Sequence, residues 1–149
     1  MSHPYSVPGV FSGMEVAASG LTAERGRMNV IASNLANART TRTANGQAYK
    51  RLDPVFQATA LPTTSGADPV LRSIKEVQLA GVRPDTTPGD MVYDPGHPDA
   101  NAQGYVEYPN VNVVTEMVNL MTASRAYEAG VTSIESLKSM ARSALKIGQ

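Results

Sequence analysis

With 149 residues, 42% of them apolar but only 5% aromatic, the chain has the length of one ordinary domain and few large core anchors. Its formal net charge is zero but falls in blocks, an excess of four positive charges over residues 1–51, five negative over 52–109 and one positive over 110–149; the six scattered cations of the first block do not make the dense stripe of a nucleic-acid surface. The lack of cysteine excludes disulfide frameworks, thiolate metal sites and cysteine nucleophiles, no apolar run approaches the roughly 20 residues of a membrane span, and the N-terminus has neither the basic nor the apolar region of a cleaved secretory signal.

Residues 1–10 hold two prolines and a glycine and are expected to be irregular. Ser12 and Glu15 have the spacing of a capping box, and a helix is predicted from there to about Asn37. Its apolar residues Phe11, Met14, Ala18, Leu21, Met28, Ala32 and Leu35 recur at helical spacing, and Met14, Leu21, Met28 and Leu35 keep a seven-residue beat. Gly20 and Gly26 weaken it by up to about 1 kcal/mol each. The Thr-rich stretch 40–43 favours extended chain, and Asn45-Gly46 predicts a two-residue hairpin turn with Gln47–Phe56 as the returning strand, weakened near its end by Pro54.

Residues 59–109 contain most of the prolines and are read as a small β-rich insert. Val70–Arg83, Met91–Tyr93 and Tyr105–Tyr108 are its strand candidates. Asp94-Pro95-Gly96-His97-Pro98-Asp99-Ala100-Asn101 is a turn cluster. From an N-cap at Asn110 or Asn112, a second long helix is predicted to about Ile147. Its stripe is Val113, Met117, Leu120, Tyr127, Val131, Ile134, Leu137, Ala141 and Leu145, and Val113, Leu120, Tyr127, Ile134 and Ala141 again lie seven apart. Such stripes need a partner surface. The predicted fold class is α+β: two long terminal α-helices paired as a coiled coil, with a β-hairpin and a small β-rich insert between them. The segments are 1–38, 39–58, 59–109 and 110–149.

Chemistry-bearing patterns are few. His97 between Asp94 and Asp99 lies in a Pro/Gly turn, where Asp and Asn commonly bond their own backbone. No nucleophile elbow, phosphate-binding glycine loop or zinc signature occurs, so no catalytic, metal or cofactor-binding residue is assigned and no small-molecule substrate is expected. The polar helix faces carry Ser, Thr, Asn and mixed charges rather than the Lys and Arg of a membrane-surface helix. Glu116 and Arg125, nine residues apart, cannot pair within their helix and are candidates for contacts with a partner. A small helical adaptor or chaperone is the competing reading.

Specific motifs sit at both ends. Ala32-Ser33-Asn34-Leu35-Ala36-Asn37-Ala38-Arg39-Thr40-Thr41 resembles the N-terminal signature of the flagellar axial family, the rod and hook proteins of the bacterial basal body. Asn110-Val111-Asn112-Val113-Val114-Thr115-Glu116-Met117-Val118-Asn119-Leu120 and Ser124-Arg125-Ala126-Tyr127-Glu128 resemble its C-terminal signature. Tyr93–Val106, and Thr40–Thr43 leading into Gly46 and Tyr49-Lys50-Arg51, resemble the proximal-rod members. Gly130 departs from the family, which tends to place Asn there.

The resemblance implies terminal helices paired inside a tube, ordering on assembly, and torque carried through packed helices. It implies copies of the chain, other flagellar rod proteins and the basal-body export and MS-ring components as partners. Export through the flagellum-specific channel, without a cleaved signal, and assembly across the periplasm are further implications. On this reading Met14, Leu21, Met28, Ile31, Leu35, Val113, Met117, Leu120, Tyr127, Val131, Ile134 and Leu145 are packing positions, and Asn34 and Asn37 close the first helix.

Overall fold

A computed structural model describes residues 8–60 and 74–147. The expectations for residues 1–7, for the part of the Val70–Arg83 candidate before residue 74 and for the side chain of Phe11 lie outside the described residues. The elements run α1 (Pro8–Ala36), β1 (Leu52–Ala60), β2 (Lys75–Pro84), β3 (Met91–Tyr93), β4 (Tyr105–Glu107) and α2 (Val113–Ile147). This is α+β, with helices of 29 and 35 residues at the two ends. Among the described residues no helix is long and apolar enough to cross a membrane.

α1 begins earlier than its polar residues imply. Ser12 lies inside the helix, so the expected capping box does not form; Pro8 opens it instead. A proline at the first helical position lacks only an N–H that has no intrahelical partner there anyway. α1 ends where Asn37 Nδ2 donates to Ser33 O at 2.9 Å and Asn37 Oδ1 accepts from Thr40 Oγ1 at 3.2 Å. α2 begins at Asn112, whose Oδ1 accepts the Thr115 N–H at 3.0 Å in N-cap geometry. Asn110, the alternative cap, serves elsewhere.

The turn after α1 has three loop residues, not two. Thr43 N–H donates to Gln47 O and Gly46 N–H to Thr43 O, each at 2.8 Å. Within this turn only Gly46 has a positive φ, 75°, while Asn45 does not. A type I turn closed by a left-handed glycine gives this pattern. The chain returns alongside Thr40, which accepts the Tyr49 N–H at 3.0 Å, but no regular strand forms until Leu52. β1 then pairs with β2, not with the Thr-rich stretch. Pro54 lies inside β1, which a two-stranded sheet tolerates because each strand has a free edge.

The short β3 and β4 pair antiparallel in the register Met91↔Glu107, Val92↔Val106, Tyr93↔Tyr105. Val106 is 1% exposed, and the Tyr93 and Tyr105 rings meet edge to face at 5.2 Å. The turn cluster between them bonds to itself as expected: Asp94 Oδ1 accepts from Gly96 N, His97 Nδ1 from Asp99 N, and Asn101 Oδ1 from Gln103 N and Tyr105 N.

The chain divides into two compact units, each taking part of both helices. One comprises the described residues of Met1–Arg25, Phe56–Ala80 and Ser124–Gln149; the other comprises Gly26–Val55 and Gly81–Ala123. We call them the stripe unit and the junction unit.

Candidate functional site

The junction unit holds a polar cluster built on two fully buried side chains, which is unusual for a small domain with few aromatic anchors. Asn34, in the last turn of α1, and Glu116, in the first turn of α2, are each 0% exposed. Asn34 Oδ1 accepts the Leu52 N–H at 2.8 Å and the Tyr49 hydroxyl at 3.0 Å. Its Nδ2 donates to Leu52 O at 2.9 Å and to Glu116 Oε2 at 3.1 Å. All four bonding positions of the amide are therefore filled, as burial demands. Asn34 binds the strand backbone as a neighbouring strand would, and so fixes β1 to the end of α1.

Glu116 receives a cation from the same segment. Arg51 Nε donates to Glu116 Oε1 at 2.8 Å, and the guanidinium also bonds Asp53. Burial opposes the Arg51 charge, but the hydrogen bonds to Glu116 and then Asp53 prevail and raise its pKa above the ordinary guanidinium value. The position of Glu116 at the start of α2 also suits a negative charge, because the helix dipole is positive there. The Arg51 backbone is held as well: its N–H donates to Asn110 Oδ1 and its carbonyl accepts the Asp85 N–H, both at 2.7 Å. Asn110 Nδ2 donates in turn to Thr87 O at 3.1 Å.

Two surface ties join the turn after α1 to the β3–β4 hairpin. Asp99 accepts from Thr41 Oγ1 at 2.8 Å and from Arg42 at 3.3 Å, and these contacts, Thr41 foremost, hold its carboxyl below the usual range. Lys50 Nζ lies 2.7 Å from Glu107 and, mainly through that hydrogen bond, lowers the Glu107 pKa. Gly89 is required nearby, since a Cβ there would fall 1.9 Å from Tyr108 O.

In the stripe unit the two helices approach closely. A Cβ on Gly130 would lie 2.7 Å from Leu21 Cδ2, so the glycine gives Leu21 its seat. Leu137 comes within 3.9 Å of the corresponding position on Gly13, so the two helices run antiparallel here. Ala17, Gly20, Ala126, Gly130, Phe56 and Val77 line an open groove of about 430 Å³. Among the described residues no group of His, Asp and Glu is arranged to hold a metal ion.

The chain matches known families at both ends. A family model described as flagella basal body rod protein matches residues 14–42, and one described as flagellar basal body rod FlgEFG protein C-terminal matches residues 102–147. The chain is 44% identical to the flagellar basal-body rod protein FlgC of Borreliella burgdorferi, over 95% of this chain and 99% of that protein. It is 44% identical to FlgC of an Escherichia coli O6:H1 strain, over 91% and 95%, and 40% identical to FlgC of Bacillus subtilis strain 168, over 93% and 98%. The chain belongs to the FlgC family of flagellar basal-body rod proteins. It is a structural subunit of the basal-body rod, not an enzyme.

Within this FlgC-family fold the sixteen residues singled out from sequence separate clearly. Asn37 closes α1, whereas Asn34 does not; its amide crosses to β1 and Glu116. Glu116 is not offered to a partner, because its carboxylate is buried inside its own chain. Arg125 is exposed, with no ion pair to any described residue. Ile31 is buried, and Met14, Leu21, Met28, Leu35, Leu120, Tyr127, Val131 and Ile134 are half-buried. Val113, Met117 and Leu145 are 46%, 55% and 68% exposed.

Sequence reading missed Arg51, Tyr49 and Asn110 as parts of the cluster. The available signal was a charge rule: a glutamate buried at a helix start needs a cation.

Proposed function

We propose that the chain is a subunit of the proximal rod, and that its terminal helices pair as an antiparallel coiled coil lining the inside of the tube. The observation that carries this reading is the apolar helix surface the chain leaves uncovered. Val113, Val114, Met117, Val118 and Met121 fall within little more than two turns of α2, each between 46% and 71% exposed. No charged residue occurs from Met117 to Ser124 to keep that surface in water. An exposed apolar run of this kind marks a protein contact, and in a rod the contact is supplied by the next subunit. Such contacts are heterologous and propagate helically instead of closing.

The proposed packing positions are Met14, Leu21, Met28, Ile31, Leu35, Leu120, Tyr127, Val131 and Ile134 between the helices, with Val113, Met117 and Leu145 facing neighbours. Partners are copies of the chain, other rod proteins, and at the base the export and MS-ring components. The subunit passes through the flagellum-specific export channel and assembles across the periplasm. Torque is carried by many parallel apolar contacts, so no single residue is indispensable in the catalytic sense. Deleting the gene should leave basal bodies without a rod and cells unable to swim, restored by the full chain; rods of normal length in the deletion strain would refute the reading.

A further inference from the structure

We infer that the Asn34–Arg51–Glu116 cluster sets the register in which α1 and α2 meet in the junction unit. The apolar stripes alone leave that register ambiguous. Met28 and Leu35 are seven apart, as are Val113 and Leu120, so sliding one helix by seven residues exchanges one aliphatic side chain for another. The segments joining the helices are long enough to follow such a slide.

The cluster has no equivalent one heptad away. Slid by seven in one direction, α2 brings Ala123 to the place of Glu116; slid in the other, α2 stops short of that place, which falls to Pro109 of the preceding segment. Asn34 then loses a hydrogen-bonding partner in a site with no access to water, and Arg51 loses its buried carboxylate. Every member of the cluster is satisfied only when residue 34 faces residue 116. A buried ion pair adds little net stability over well-packed apolar side chains, because desolvation offsets its Coulomb attraction. What it adds is discrimination between packings, as a lone polar residue does in a coiled-coil seam. Arg51 and Glu116 are positioning residues in this sense.

The chain has no cysteine, so introduced pairs report alone. With residue 34 opposite residue 116 in antiparallel helices, cysteines at Ile31→Cys and Leu120→Cys report the native register. Ile31→Cys with Val113→Cys reports a seven-residue slip. In the purified full chain the first pair should oxidise and the second should not. In an Asn34→Leu/Arg51→Met/Glu116→Leu background the chain should keep its helicity, yet the 31–120 disulfide should fall at least threefold while the 31–113 disulfide appears. A 31–120 yield equal to the parent's in the apolar background overturns the inference.

Should that background fail to fold, Glu116→Leu is compared with Glu116→Gln, whose amide oxygen still accepts hydrogen bonds. Loss of the native pair in the leucine variant alone supports the inference, and equal yields in both overturn it. The disulfides are read on the free chain, so this result stands apart from the rod placement, which gene deletion tests separately.

Discussion

The junction unit and the stripe unit use the same two helices to different ends. In the junction unit the chain completes its own interior: Val30, Ile31, Ala48 and Val106 are buried beside a satisfied amide and a paired carboxylate. In the stripe unit the described residues bury little beyond Ser12 and Ala23, and the helix faces are half-covered. The first arrangement is that of a small folded module. The second leaves its helices half-covered, and half-buried stripes stabilise a helix fully only when the remaining face is covered; the uncovered Val113–Met121 face lies on the junction unit, beside its closed interior.

Substitutions separate the two. The largest effect is expected from Arg51→Ala. It leaves the Glu116 carboxylate buried with one neutral donor, a loss of about 3–5 kcal/mol by analogy with other broken buried pairs. Urea unfolding of the full chain measures it, and a change under 1 kcal/mol would mean the cluster is not closed in solution. Next is Gly130→Leu, which forces a side chain into the seat of Leu21 and should cost about 1–3 kcal/mol through overpacking. That loss should appear in α-helical signal and leave Tyr93 and Tyr105 fluorescence unchanged, since those rings belong to the junction unit.

Met117→Asp should do the reverse of both. The side chain is exposed, so stability should shift by no more than about 0.5 kcal/mol. Swimming and rod assembly should nevertheless be lost, because the charge would be buried against a neighbour. Normal swimming by this variant would remove Met117 from the contact.

The smallest effect is acid weakening of the surface ties. Asp99 and Glu107 have folded pKa values below their unfolded ones, through Thr41 and Lys50 respectively. Their contribution is therefore present above the unfolded carboxylate range of about pH 4 and lost as pH falls through the lower folded values. Stability of the hairpin attachment, followed by urea unfolding from pH 6 to pH 3, should decline in this window. Asp99→Asn should flatten part of the decline.

Much of the architecture was legible because it is local. The two long helices, the short strands at Met91–Tyr93 and Tyr105–Glu107, the self-bonded Asp94–Asn101 turn and the Asn112 cap follow from spacing and side-chain chemistry within a few residues. The errors were also local in kind. Ser12 and Glu15 have a cap's spacing, but a proline four residues earlier starts the helix without one. Asn45-Gly46 fits a two-residue turn, but one left-handed residue suffices when the loop has three.

The cluster was legible only in pieces. Asn34 and Glu116 both stood in recognisable motifs, yet they lie 82 residues apart, and Arg51 lies 65 from its carboxylate. Periodicity carries no information about pairs at such separations. It also ranks Glu116 and Arg125 alike, though the fold buries one and exposes the other.

The most direct test is a side-chain-resolution density map of the intact basal body. The expected result is this chain in the rod, Asn34 on Glu116, the two helices antiparallel with their seam toward the lumen, and the Val113–Met121 face covered by the adjacent subunit. A rod in which that face is open to solvent, or from which the chain is absent, would contradict it.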